Sequence, residues 1–357
     1  MNAPYRLEEM PRQVKALADD VRGLVTPLAD QTRAVIAAVD VADISHVVLT
    51  GNGDSYHAAL AAEMAFTSLA AVRCTPLSTL RLLKYGLPTA PEAARGTLVV
   101  AISASGGNVR ALQVLARAHE AGARTLAVTS TPGSPLAQAA DHALLAPLTG
   151  LRPCPGIRTY QASLLGLFLL AIELGWVRGH HTAAQAEQYQ AELSATSDAI
   201  EATRSAIAPI CTQRGSTLAD APVVMMLGCG PGYGGALFAA AKLVEAAGLF
   251  AVGQDLEEWE HVEALAQPRD MPTIILATPG YSHERAVIVA EQARSIGRTV
   301  IAVADAADTD LVKLADIMPL HGAGREEFSP LLTQVFAGQL AYETARQLDR
   351  VPFSTKH

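Results

Sequence analysis

The stretch Thr97–Gly122, TLVVAISASGGNVRALQVLARAHEAG, decides the fold. An apolar, β-rich run from Leu98 to Ile102 breaks into Ser103-Ala104-Ser105-Gly106-Gly107-Asn108. An amphipathic helical pattern then starts at Val109, with Leu112, Leu115 and Ala116 on one face. The order is strand, polar turn, helix start. At a helix N-terminus backbone N–H groups lie unpaired and the dipole favours negative charge, so two hydroxyls, two glycines and an amide placed there form an anion cradle. The turn has no lysine of the P-loop type, which points away from a nucleoside triphosphate and towards a single phosphate monoester. Four hydrogen bonds to a charged phosphate, at roughly 1.5–3 kcal/mol each, are comparable to the roughly 4–15 kcal/mol cost of association. Such a site anchors a small ligand and leaves the rest of it free for chemistry. An ordinary βα loop whose hydroxyls only cap the helix accounts for the same residues, and the stretch alone leaves both readings open.

The bulk of the chain narrows the classes around this turn. A length of 357 residues suggests two domains. Half the residues are hydrophobic and the formal charge is −8, so no basic surface is expected to meet nucleic acid. A small phosphorylated ligand needs only local donors. Cys74, Cys154, Cys211 and Cys229 are widely spaced, with no CxxC and no Cys/His cluster, so neither a disulfide framework nor a metal site is expected. They read as buried thiols of a reduced cytoplasm, and a cytoplasmic location is the expectation. The N-terminal MNAPYRLEEMPRQVKAL carries mixed charge where a signal peptide is apolar. The most apolar run, Ala162–Ile172, is shorter than a bilayer span and ends at Glu173, so a buried helix is expected there and no membrane association.

Strand and helix signals alternate along the chain. Residues 1–40 read as a helical lead. His46–Thr50, Val72–Pro76, Leu98–Ile102, Thr125–Thr129 and His142–Leu145 read as strands separated by helices. Residues 159–216 read as a helical connector, broken at Arg178-Gly179-His180-His181, where the paired histidines are expected in a solvated loop. The alternation then resumes with strands at Val223–Leu227, Phe250–Gly253, Thr273–Ala277, Thr299–Val303 and Ile317–Leu320, and a long helix from Pro330 to Leu348. Short loops between alternating elements imply parallel sheets covered on both faces, with right-handed crossovers. Five strands in each half, each half with a Gly-rich first turn, make internal duplication the simplest reading. The expected division is a lead at 1–40, a first domain with its connector at 41–215, a second at 216–350 and a tail at 351–357. Ligands collect at the carboxyl ends of such strands, hence at the loops 51–55, 103–108, 129–134, 228–235 and 278–283.

One glycine pattern competes. Gly230-Pro231-Gly232-Tyr233-Gly234-Gly235 fits GxGxxG after a strand and before a helix, and Asp255 lies where a ribose-binding acid could stand. A tight turn packing close to its helix explains these glycines as well, Pro231 removes a backbone donor, and the first-half turn GNGDSYHA lacks the third glycine. No nicotinamide or flavin cofactor is therefore expected.

Eight segments, in this order, carry a resemblance over nearly the whole length: EEMPRQ at 8–13, GDSYHA at 53–58, SASGGN at 103–108, TSTPGSPLAQAADHAL at 129–144, GIRTYQASLLGL at 156–167, GCGPGYGGALFAAAKLVE at 228–245, EWEH at 258–261 and PLLTQVFAGQLAYETA at 330–345. The chain resembles the double sugar-isomerase (SIS) domain family, in particular the isomerase part of glucosamine-6-phosphate synthase. That resemblance implies two tandem three-layer α/β/α domains, each with a flavodoxin-like five-stranded parallel sheet. It implies a hexose phosphate held by Ser55, Ser103, Ala104, Ser105 and Asn108, with Asp54 and Gly156 near the sugar. Glu245 would move a proton between C1 and C2, Lys242 would hold the charge of the intermediate, His261 would open the ring, and Lys356 would stand for an imine-forming lysine. It also implies a homodimer whose subunits share the site. Position 2 is Asn2 and no glutaminase segment is seen, so glutamine hydrolysis is not expected.

The spacing supports part of this independently. Lys242 and Glu245 share a helix face, where a carboxylate beside an ammonium can move a carbon-bound proton while the cation stabilises an enediolate. His261 follows Glu258 at the same spacing, and imidazole suits proton transfer near neutrality. Several positions depart from the family. Ala104 replaces a glutamine, Gly107 an acidic residue, Asn108 a threonine and Arg158 a lysine, and the tail VPFSTKH is shorter. Three readings stay open: an aldose–ketose isomerase or deaminase acting on an amino-sugar or hexose phosphate, a fructosamine-6-phosphate deglycase, and a non-catalytic phosphosugar-binding regulator.

Overall fold

The computed structural model describes residues 5–354 apart from 40, 42, 88–90 and 323. The expected ten strands are present: β1 (His46–Gly51), β2 (Arg73–Ser78), β3 (Thr97–Ile102), β4 (Arg124–Thr129), β5 (His142–Leu145), β6 (Val224–Gly228), β7 (Ala251–Asp255), β8 (Pro272–Ala277), β9 (Thr299–Asp305) and β10 (Asp316–Leu320). They form two five-stranded sheets, all neighbours parallel, in the orders β2-β1-β3-β4-β5 and β7-β6-β8-β9-β10. Each is the 2-1-3-4-5 order of a doubly wound sheet, so the duplication is visible in the topology. The chain divides into two compact units. One comprises Asp19–Thr149 and Thr159–Ala195, and the other Met1–Ala18, Gly150–Arg158 and Thr196–His357.

In the unit holding the first sheet, β3 is buried at every position, as an unbroken apolar run in a two-sided sheet must be. One face packs Ala101 and Ala127 against Ala111, Leu115 and Leu136. Towards the other face, a Cβ on Gly166 would lie 3.3 Å from Val128. Gly166 belongs to the helix Arg158–Val177, which is long and apolar enough to cross a membrane but has 89% of its most apolar window buried inside the protein. It is a core helix, longer than the expected run. Near its end the backbone meets another helix: a Cβ on Gly175 would sit 2.0 Å from the Leu69 carbonyl oxygen. The break after this helix is not a solvated loop throughout. His181 is buried, takes up the Leu69 carbonyl through Nδ1 at 3.1 Å and lies edge-on to Tyr189.

In the other unit, Ala286, Val289, Ala290 and Ala293 of the helix His283–Ser295 pack with Ile275, Ala302 and Trp259 on one face of the second sheet. On the opposite face a Cβ at Gly235, in the helix Pro231–Ala247, would meet Leu276 and Thr333, the latter in the helix Pro330–Gln347. Helices cover both faces of both sheets.

Candidate functional site

The two halves open with the same turn. Gly53 (φ 52°, ψ −129°) precedes the helix Asp54–Leu69, and Gly230 (φ 53°, ψ −128°) precedes Pro231–Ala247. In each, the residue after the strand accepts from the N–H three positions on: Ser55 to Asn52 at 3.2 Å, Gly232 to Cys229 at 2.9 Å. A side chain at Gly51 or Gly228 would collide with the first helical turn. The glycines of the GxGxxG match therefore have packing reasons: Gly230 supplies the positive φ, and Gly235 the close approach to Leu276. Asp255 caps a helix instead of awaiting a ribose; its carboxylate accepts from the N–H of Glu257 at 2.8 Å and of Glu258 at 3.4 Å.

The halves differ at the next loop. β1 and β3 pair in register to Thr50 and Ala101, so the turn at 51–55 and the loop at 103–108 leave the sheet side by side. The Ala104 carbonyl accepts from the Ser130 N–H (3.1 Å) and from the hydroxyls of Thr129 (3.2 Å) and Thr131 (3.0 Å), while the Gly106 carbonyl accepts from the Leu136 N–H (2.9 Å). These bonds tie the loop's acceptors down. Gly106 has φ 63°, and a Cβ there would lie 2.1 Å from Ser134 Oγ. The cap of the helix Val109–Glu120 is Asn108, whose Oδ1 accepts from the Ala111 N–H at 3.1 Å. Neither serine of the loop caps the helix, and the N–H groups of Val109 and Arg110 have no partner within it by helix geometry. Ser103 is buried at the strand end and Ser105 is exposed. Asp54 and Ser55 are half-buried beside them, and the Asp54 charge reaches Tyr160, whose hydroxyl is pushed up chiefly by burial and further by that carboxylate.

In the second half the corresponding loop follows β8. There Glu326 sits against the loop: the Tyr281 N–H donates to its Oε2 at 3.0 Å, and a Cβ at Gly280 would sit 2.1 Å from its carboxyl carbon. Burial raises the Glu326 carboxyl, the Tyr281 N–H pulls it down, and Glu327 adds to the rise. Asp255 and Glu326 both push up the nearby Cys229 thiol, after burial, so this turn is acidic.

Lys242 and Glu245 meet on the helix Pro231–Ala247. Lys242 is wholly buried, with Nζ 2.5 Å from Glu245 Oε2 and 5.0 Å from the centroid of the Phe238 ring. Glu245 is half-buried, and its backbone carbonyl accepts from the Phe353 N–H at 2.8 Å, so the tail is fastened to this helix. Lys356 lies outside the described residues. His261 ends the helix Leu256–His261, largely exposed, 3.8 Å from Glu257. That helix is held to His283–Ser295 by Arg285, which pairs with Glu257 at 2.7 Å and with Glu260.

The loop Gly150–Arg158, which contains Gly156, belongs to the same unit as this pair. Burial pushes the Cys154 thiol up to about 12; Lys242 draws it down, while Glu9 and Glu245 add to the rise. Gln13, in the helix Glu9–Ala38, donates to the Arg152 carbonyl at 3.0 Å and accepts from the Arg158 N–H at 3.3 Å. Glu9 receives Arg12 at 2.7 Å and Arg152 at 3.5 Å on one oxygen. The EEMPRQ segment is thus the clamp of this loop, a role its residue types did not reveal.

A family model for the SIS domain matches residues 40–149 and 217–344. Among curated relatives, the glutamine–fructose-6-phosphate aminotransferase (isomerizing) of Streptomyces coelicolor is 29% identical over 360 residues, covering 98% of this chain and 57% of that protein. The enzyme of the same name from Leifsonia xyli is 28% identical, covering 97% of this chain and 57% of the relative. The chain spans little more than half the length of these proteins. Among solved structures, the C-terminal domain of glucosamine-fructose-6-phosphate aminotransferase from Francisella tularensis superposes with a TM-score of 0.84 at 18% identity, covering 97% of each chain.

Proposed function

The chain belongs to the SIS domain family, and from that premise we propose that it binds a sugar phosphate monoester and moves a proton along its opened chain, as an isomerase or deaminase of an amino-sugar or hexose phosphate. One observation carries the reading: Asn108 takes over helix capping, which leaves the Ser103 and Ser105 hydroxyls, the Asn108 amide nitrogen and the first-turn N–H groups for an anion. The second half has no such vacancy to offer, since Glu326 already sits on its loop. One phosphate per chain is the consequence, with Ser55, Asp54 and the backbone at Ala104 alongside it.

Glu245 is the group that carries hydrogen between C1 and C2. Removing that proton puts negative charge on the former carbonyl oxygen, and the Lys242 ammonium, buried at low dielectric, is the counter-charge that offsets it. His261 is too exposed to act on a substrate enclosed by its own subunit. Beside it Val262 and Leu265 are 60% and 78% exposed, a surface suited to a second copy of the chain whose site receives the histidine. Lys356 follows by three residues the Phe353 contact to the Glu245 carbonyl, and imine formation with an opened ketose is assigned to it.

The test is incubation with hexosamine, fructosamine and hexose 6-phosphates in deuterated water, followed by NMR. Deuterium at C1 or C2, abolished in Glu245→Gln while the sugar phosphate still binds, is the expected result. Binding without exchange in the unaltered protein would leave the regulator reading standing in its place.

A further inference from the structure

We propose that the cleft between the start of the helix Glu9–Ala38 and the loop Gly150–Arg158 is a binding site for a small doubly charged oxyanion, and that the anion fastens these two segments to each other. The site lies wholly within one compact unit and is independent of the phosphosugar reading. The cleft has a volume of about 220 Å3 and is lined by Arg12, Arg152 and Arg158 together with Glu9. Three guanidinium groups against one carboxylate leave a local formal charge of +2, in a chain whose total is −8. Like charges gathered in a concave place repel one another, and an anion is the partner that relieves the repulsion.

The walls are held in place before any ligand arrives. The Gln13 amide nitrogen donates to the Arg152 carbonyl at 3.0 Å, its oxygen accepts from the Arg158 N–H at 3.3 Å, and the Arg6 N–H donates to the Pro153 carbonyl at 3.3 Å. The backbone carrying two of the arginines is thereby fixed against the segment carrying the third, which lowers the ordering cost of binding. Arg12 and Arg152 come from opposite walls and meet on the same oxygen of Glu9, at 2.7 and 3.5 Å. Each guanidinium has five N–H groups in a planar fork, so both keep donors for a further oxyanion. Arg158 is buried, whereas the Arg12 and Arg152 side chains are 66% and 62% exposed, so a cation stands deeper in the cleft behind two at the rim.

Charge and donor geometry set the class of ligand. Guanidinium forks match pairs of oxygens on one phosphorus or carbon atom, which a halide does not offer. A local charge of +2 is balanced by a dianion, and the phosphate group and the small dicarboxylates share both properties. An anion that bonds Arg12 and Arg152 at once joins the helix start to the loop from the solvent side, where Gln13 and Arg6 join them from within. Its release leaves the loop on those inner hydrogen bonds alone.

Hydrogen exchange read by mass spectrometry, on the full chain, compares inorganic phosphate, succinate and sodium chloride at matched ionic strength, with calorimetry on the same solutions. Phosphate, succinate or both are expected to raise protection at residues 150–158 and at the start of the helix Glu9–Ala38, and chloride to leave it unchanged; which dianion acts identifies the source of the oxyanion. Affinity is expected to fall on the order of tenfold in Arg152→Met and in Arg12→Met, whose exposed positions should leave folding intact. It is expected to rise in Glu9→Gln, where a competing carboxylate is gone. Protection raised by neither dianion, raised equally by chloride, or unaltered in both arginine variants overturns the site. Weaker binding in Glu9→Gln, as in the arginine variants, would signal a general loosening of the cleft and overturns the charge argument. Phosphate protection confined to residues 103–110 overturns the cleft site as well, while supporting the anion loop of the proposed function.

Discussion

The Tyr281 N–H donates to the Glu326 carboxylate at 3.0 Å, in the loop that holds, in the second sheet, the position held in the first by Ser103–Asn108. The first half ends its third strand in a loop of hydroxyls and glycines, whereas the second sets a carboxyl group of its own on the corresponding loop. The arrangement has a titration consequence. Burial, aided by Glu327, raises the Glu326 carboxyl in spite of the Tyr281 hydrogen bond, so the fold favours its protonated form. The stabilisation belonging to that form is fully present below the ordinary carboxylate range and is lost as pH rises through the raised value. The ionised form is therefore the one the folded protein disfavours. Glu326→Gln keeps the acceptor for Tyr281 and removes the charge, so its melting temperature is expected to exceed the parent's at pH 7, on the order of one or two degrees for a half-exposed group. The gap should close on acidification to pH 4. A melting temperature lowered at pH 7 would mean that the charge itself holds the loop.

The loop at 103–108 depends on one glycine and tolerates change at its neighbour. Gly106 combines φ 63° with a Cβ position 2.1 Å from Ser134 Oγ, whereas a Cβ at Gly107 finds only Ser105 Oγ, at 4.0 Å. Gly106→Ala is expected to lower stability by about 1–3 kcal/mol and to weaken sugar phosphate binding. Gly107→Ala should cost well under 1 kcal/mol in the same denaturation experiment. Similar losses for both would show that the loop adjusts freely and that its shape is not set by Ser134.

What could be read from the chain beforehand follows the range of the interactions. The ten strands were legible because each is a short β-rich run closed by glycine or polar residues, and the parallel order followed from the helices between them. Lys242 and Glu245 were legible as a pair because three residues on a helix fix their proximity. Asn108 was legible as a polar residue at a helix start, but whether it caps or binds is decided by a hydrogen bond to Ala111 that composition does not specify. Contacts between distant segments were not legible. Gln13 meets Arg158 across 145 residues and Glu326 meets Tyr281 across 45, and no local pattern encodes either approach. His181 was misjudged for the same reason: a histidine in a polar break becomes buried once the helix carrying Leu69 comes up against it.

The buried pair predicts an asymmetry between stability and activity. Lys242 is wholly buried over the Phe238 ring, while Glu245 keeps some contact with solvent. Neutralising Glu245 leaves an ammonium without its carboxylate in an apolar place, which costs more than the reverse change. Glu245→Gln is expected to destabilise by about 1–3 kcal/mol, and Lys242→Met by less, since an unbranched apolar chain fills the space beside Phe238. Both should lose deuterium incorporation into the sugar. Urea denaturation separates the two effects, and a Lys242→Met protein that folds yet still exchanges hydrogen at the parent rate removes the lysine from the chemistry.

Gln13 offers the sharpest check on the loop that carries Gly156, Arg152 and Arg158. Its Oε1 takes the Arg158 N–H, an orphan donor at the start of a long helix, and its Nε2 supplies the Arg152 carbonyl, so one buried side chain closes both ends of the turn. Gln13→Leu leaves a donor and an acceptor unsatisfied and is expected to cost about 1–3 kcal/mol. Gln13→Glu keeps the acceptor and adds negative charge at a helix N-terminus, where the dipole favours it, so it should cost less. Hydrogen exchange read by mass spectrometry distinguishes this from a general loosening. Protection is expected to fall across residues 152–158 in Gln13→Leu and to be largely kept in Gln13→Glu, with β3 and β8 unchanged in both. Loss of protection spread evenly over the second sheet would instead assign Gln13 to the core and leave the loop held by other contacts.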